Sequence, residues 1–185
     1  MDPLIIQSQI YGLLENTSIM VYRNNNKEYV PVQNITKGMC VINNNHSAFV
    51  KCVIKLKYNG LICKGYINNN MIGITPVHPI LLDTNTNNWV HPMETNIFTI
   101  EEVNDVYIYN FFLESTNNFY QVELHGGINA CAFNHGMTEP IVYHCYFGTN
   151  RVQVDFEKHP NWEIGYIQLN TFKIYNNNYS IDIDY

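Results

Sequence analysis

No apolar run in the 185 residues approaches the roughly 18 that cross a bilayer as a helix, so no membrane span is expected. Basic residues are scarce: ten Lys and Arg stand against sixteen Asp and Glu, for a formal net charge of -6, and they form no cluster. That charge excludes strong non-specific contact with phosphate backbones, and nucleic acid is not expected as a partner. The five cysteines, at 40, 52, 63, 131 and 145, include no C-x-x-C pair and are odd in number, which argues against a zinc ribbon and a disulfide framework. Free thiols fit a reducing intracellular compartment. The opening Met1-Asp2-Pro3-Leu4 puts an acid where a signal peptide carries basic residues.

Hydrophobic residues make up 46% and aromatics 14%, enough for a packed core, and the length suits one domain. Short runs rich in Val, Ile, Tyr and Phe occur at 18–22, 28–32, 39–42, 49–57, 61–67 and 71–74, several alternating apolar and polar as half-buried strands do. Four Asn-Asn-Asn runs, at 24–26, 43–45, 68–70 and 176–178, separate such segments and read as loop tips, because Asn tolerates left-handed backbone. The runs 106–114 and 119–124, joined by Ser115-Thr-Asn-Asn118, predict a hairpin. Helix signals are few: a capping box at Thr99-Ile-Glu-Glu102 and a turn or two over 152–158, limited by Pro160. The pattern is that of an all-β, meandering domain. Trp89, Phe147, Trp162, Cys40, Cys52 and Cys63 are expected in its core.

Two segments carry residues with chemistry: Gly73-Ile-Thr75-Pro-Val-His78-Pro-Ile-Leu-Leu82 and Gly127-Ile-Asn-Ala-Cys131-Ala-Phe-Asn-His135-Gly136. Alone, Thr75 and His78 would be a turn hydroxyl and a satisfied buried histidine. Their setting gives them more weight. Gly12-Leu-Leu-Glu-Asn-Thr17, Pro31-Val-Gln-Asn-Ile-Thr-Lys-Gly38, Trp89-Val-His-Pro92, His144-Cys-Tyr-Phe-Gly-Thr149 and Pro160-Asn-Trp162-Glu-Ile-Gly165 occur in the order of motifs in the Vint branch of the Hint (hedgehog/intein) domains. The chain resembles that family over most of its length. The resemblance implies a compact all-β Hint-type fold over 13–175, with a short C-terminal helical or irregular extension, after an arm or upstream remnant at 1–12 and before a tail at 176–185. It also implies a self-cleaving ancestry, in which a Cys attacks the bond before it and Thr-x-x-His polarises that amide and protonates its nitrogen. No cofactor is implied.

By this reading Leu13 stands at the nucleophile position, and its side chain can neither attack nor leave. Met39 stands where an Asp is usual, and Ser8, Thr17 and Ser18 are the nearest hydroxyls. Thr75 and His78 mark the expected catalytic site. His135 is either a second active-site imidazole or a turn residue before Gly136. Cys131 is either a thiolate activated by His78 or His135, or inert packing. Zinc held by His78, His135 and His144 with Cys131 or Cys145 matches no ligand spacing, and no metal is expected. The function expected is a degenerate autoprocessing domain, inactive or weakly hydrolytic near Gly12-Leu13 and acting on itself. A structural or protein-binding module that keeps the fold is the alternative, and a Cys131 hydrolase acting in trans is a third reading.

Overall fold

The computed structural model describes residues 10–43, 46–83 and 87–171, with the backbone of 174–175 and 178–179. Its elements in chain order are β1 (Leu13–Leu14), β2 (Ser18–Arg23), β3 (Asn26–Pro31), β4 (Cys40–Asn43), β5 (His46–Ile67), β6 (Asn70–Ile74), β7 (Ile80–Leu81), β8 (Trp89–Val90), β9 (Thr99–Glu114), β10 (Gln121–Glu123), β11 (Asn129–Cys131), α1 (Asn150–Phe156), β12 (Tyr166–Leu169), β13 (Ile174–Tyr175) and β14 (Asn178–Tyr179). Among the described residues the fold is all-β with one short helix, as expected. An eight-stranded sheet runs β3-β2-β4-β5-β6-β1-β9, with β12 added in parallel to β5. A smaller sheet runs β10-β11-β7-β8, and bridges between Phe112 and Phe133 and between Ile19 and Leu124 tie its edge to the large one.

The frame is the antiparallel ribbon of β5 and β9, paired from Phe49 opposite Glu114 to Lys64 opposite Thr99. The runs at 49–57 and 61–67 are thus one strand, irregular between Val50 and Cys52 and between Tyr58 and Gly60. The first irregularity has a packing consequence. Val50 and Val53 both face one core with Val21, Ile74 and Phe111, while Cys52, Ile54 and Leu56 face the second. An extra residue in a strand reverses which positions point to each face, and so lets one strand serve two cores. The second core is closed by α1, through Val152 and Phe156, and by Trp162 and β12.

Two sequence expectations give way to pairing. The hairpin of 106–114 with 119–124 does not form: β9 pairs β5 and β1, while β10 pairs β11. Local alternation makes a segment a strand without choosing its partner, and β5 offers β9 a longer ladder than a neighbouring turn could. The capping box at 99–102 opens β9 instead of a helix, because Glu101 and Glu102 sit opposite Ile62 and Leu61. The helix expected over 152–158 forms at Asn150–Phe156. Asn24, Asn25, Asn68 and Asn69 adopt positive φ between β2 and β3 and between β5 and β6, as loop tips of Asn should. The runs at 43–45 and 176–178 lie partly outside the described residues. Trp89, Phe147, Trp162, Cys52 and Cys63 are buried, and Cys40 is half-buried.

Candidate functional site

Thr75 follows the last residue of β6 and opens a turn closed by a hydrogen bond from the His78 N–H to the Thr75 carbonyl, 3.1 Å. Pro76 occupies the second turn position, where its fixed φ is pre-set for the bend. The Thr-x-x-His spacing is therefore a β-turn that brings a hydroxyl and an imidazole to one spot. Both are buried, and the backbone that meets them is Gly12. The Gly12 N–H donates to Thr75 Oγ1 at 3.1 Å, and the Thr75 N–H donates to the Gly12 carbonyl at 3.0 Å.

Leu13, which the sequence reading puts at the nucleophile position, is the residue after Gly12. Its backbone pairs with Ile74 and Tyr109, and its side chain, 1% exposed, sits in the first core. Position 12 offers no side chain and little room for one. A Cβ there would lie 2.6 Å from Cδ1 and 2.9 Å from Cβ and Cγ1 of Ile108. Ile10 and Tyr11, assigned by sequence to an arm, are buried in the second core.

The Tyr11 carbonyl accepts a hydrogen bond from Asn110 Nδ2 at 3.2 Å, so the Tyr11–Gly12 peptide group is bonded at both ends. Asn110 is 3% exposed, and its Oδ1 accepts from the Phe111 N–H at 2.7 Å, which leaves the NH₂ to face Tyr11. The Tyr11 ring stacks on His78 with centroids 5.3 Å apart and planes 10° apart, and also contacts His144 and Phe147. An open cleft of about 240 Å³, lined by Tyr11, Val77, His91, Ile141, Tyr143 and His144, brings solvent to this face.

His78 Nε2 lies 2.7 Å from the Cys131 carbonyl and must donate to it, because a carbonyl only accepts. The neutral ring then carries its proton on Nε2. Burial holds the His78 pKa down to about 4, opposed by the backbone of Cys131 and Gly12 and deepened by His135. His135 and His144 are also held near 4, chiefly by burial, with His144 a further influence on His135. His135 Nδ1 accepts from the Met137 N–H at 3.1 Å, and its ring lies against Gly148, where a Cβ would come within 2.8 Å of Cε1. His135 is thus both the residue before a Gly136 turn and a neighbour of the site.

Cys131 meets the site through its carbonyl. Its thiol packs with Leu81, Trp89 and Val142, and burial, followed by the charge of Glu139, raises its pKa well above the ordinary thiol value. A thiol so placed stays protonated and lacks the reactivity of a thiolate. Thr17 is also committed, its Oγ1 donating to the Gly73 carbonyl and accepting from the Gly73 N–H. Ser18 begins β2, and Ser8 lies outside the described residues. Among the described residues no group of three His, Cys, Asp or Glu could hold a metal ion. Sequence reasoning named Gly12 only as the residue before Leu13, and missed Tyr11 and Asn110. The last had a signal: one amide inside the apolar run Tyr107-Ile-Tyr-Asn110-Phe-Phe-Leu113.

No curated protein matches the chain. Solved structures do. The intein-like domain from Clostridium thermocellum is 14% identical, with a TM-score of 0.47, covering 67% of this chain and 99% of that one. The DnaB intein from Synechocystis sp. PCC 6803 is also 14% identical, with a TM-score of 0.47, covering 65% and 98%. The family model for the Vint Hint-domain matches residues 14–178, which takes in Thr75, His78, Cys131 and His135 and begins two residues after Gly12. With most of its length in that match, the chain belongs to the Vint family of Hint domains.

Proposed function

We propose that this Hint domain retains the amide-holding half of a self-processing site and has lost the thioester half, so that it stays joined to the residues before Gly12. The observation that carries the reading is the pairing of Thr75 with Gly12. In this reading the nucleophile position is Gly12, one residue before Leu13, and the addressed bond is Tyr11–Gly12. Glycine supplies no attacking atom, and Ile108 occupies the space a side chain would need. The remaining chemistry is direct attack by water, which forgoes the covalent step that splits a hard reaction into two easier ones. His78, neutral at pH 7, is a weak base for that attack. Cleavage is therefore slow or absent.

The filled space also favours a structural or protein-binding role, since Ile108 packing adds to stability where a thiol served chemistry. The test is the intact mass, over days, of a fusion carrying a folded reporter ahead of Met1, with and without dithiothreitol. The natural chain is expected to remain whole. The double variant Gly12→Cys with Ile108→Ala is expected to release the reporter after Tyr11 in the presence of the thiol, and Leu13→Cys to remain whole. Thiol-dependent cleavage of the natural chain, or restoration by Leu13→Cys alone, would overturn the assignment.

A further inference from the structure

We propose that Asn110 is a catalytic residue for the Tyr11–Gly12 bond, holding the carbonyl oxygen as it gains negative charge; this rests on the reading above of which bond the site addresses. Attack at the Tyr11 carbonyl carbon pushes the C=O pair onto oxygen. The group that must meet that charge is the one already bonded there, Asn110 Nδ2 at 3.2 Å. Donors of this kind act most strongly when they are buried and fixed before the reaction begins.

Asn110 meets both conditions. It is 3% exposed, and the bond from the Phe111 N–H to Oδ1, at 2.7 Å, prevents the amide from turning over. Its place in the ladder fixes it further: Leu13 pairs with Tyr109, so the next pair outward sets Gly12 beside Asn110. The peptide group is therefore held between β9 at its oxygen and Thr75 at its nitrogen. An amide at an interior strand position, among buried aliphatic and aromatic side chains from Ile108 to Leu113, is costly to bury unless it is paired. Here the pairing is to one carbonyl, that of Tyr11.

The step balances without any outside redox agent. With water, oxygen bonds to the Tyr11 carbonyl carbon, the oxyanion forms at Asn110, and its collapse breaks the C–N bond. One water proton ends on the Gly12 nitrogen, giving a Tyr11 carboxyl group and a Gly12 amine. With the thiol that Gly12→Cys introduces, sulfur takes the place of water and the product is a Tyr11 thioester with a free amine, which dithiothreitol then cleaves.

Asn110→Asp is the informative variant. It keeps an acceptor for the Phe111 N–H and removes the donor to Tyr11 as long as the carboxyl is ionised. In the Gly12→Cys/Ile108→Ala background, thiol-dependent release should fall by about 10²–10³-fold, the usual effect of losing one oxyanion donor. Relative to the same background with Asn110, it should recover as pH falls and the carboxyl regains a proton to donate. A purely structural role would give no such acid limb.

A second measurement uses the otherwise natural chain and needs no cleavage. Tyr-Gly occurs once in the sequence, at 11–12, so labelling with ¹³C-carbonyl Tyr and ¹⁵N Gly gives a single carbonyl-to-amide NMR correlation. Asn110→Asp and Asn110→Ser should move the Tyr11 carbonyl resonance upfield while the rest of the spectrum stays folded. An unmoved resonance, or release at the unsubstituted rate in the Asp variant, would overturn the proposal. If the Gly12→Cys background never cleaves but the resonance moves, the reading of the bond fails, and Asn110 is reduced to a structural contact.

Discussion

If Ile108 fills the place of a side chain at position 12, the two residues are energetically coupled, and a mutant cycle measures the coupling directly. Gly12→Ala adds a methyl 2.6 Å from Ile108 Cδ1 and 2.9 Å from its Cβ and Cγ1. Overpacking of this kind costs about 1–3 kcal/mol. Loss of backbone freedom in the unfolded chain returns about 0.4–1 kcal/mol of that. Ile108→Ala removes Cγ1 and Cδ1, two of the three close atoms, and opens a buried cavity at a cost of about 2–5 kcal/mol. In the double variant the contacts with Cδ1 and Cγ1 are gone, and the remaining 2.9 Å contact with Cβ, which alanine keeps, is relieved by a small backbone shift into the opened cavity. The double variant should therefore be less destabilised than the sum of the singles, by about 1–3 kcal/mol. Urea denaturation with unchanged m-values is the assay. Singles that add to within about 0.5 kcal/mol would show the two positions to be independent and would refute the back-filling argument.

Acid should weaken the fold through the same site. His78, His135 and His144 are held near 4 when folded, against about 6.5 when unfolded. Between those values the unfolded chain binds more protons. The stability they confer is therefore whole above about pH 6.5 and is lost as pH falls toward 4. Urea midpoints that stay flat between pH 7 and pH 5 would contradict this. In alkylation, the exposed Cys145 should react with iodoacetamide in the native state, while Cys131, Cys52 and Cys63 stay silent until unfolding. Mass mapping that finds Cys131 modified as fast as Cys145 would restore the thiolate reading.

What the sequence made legible were features whose geometry is local. Thr75-Pro76-Val77-His78 is a turn by its own chemistry, and Asn24-Asn25 and Asn68-Asn69 are left-handed tips by theirs. Features fixed by a distant partner were hidden. Whether Gly12 or Leu13 faces Thr75 is a one-residue question of register, and register is set by the strands on either side of β1, which come much later in the chain. Asn110 drew no notice in its apolar strand, because the carbonyl it serves lies 99 residues earlier. The hairpin over 106–124 failed for the same reason: alternation marks a strand without naming its neighbour.

Because β1 pairs only with distant strands, the site also has a schedule. Gly12 meets Thr75 across 63 residues, Tyr11 meets Asn110 across 99, and the Tyr11 ring completes its contacts with Phe147. A chain made from its N-terminus must leave β1 without its β6 partner until Ile74 has been made and without its β9 partner until Tyr109 has, since long-range ladders close late. In an ancestor with a nucleophile at position 12, that delay would have acted as a timer. The bond could be cut only after the domain that cuts it had finished folding, and the natural chain keeps the long-range pairing on which that order rests.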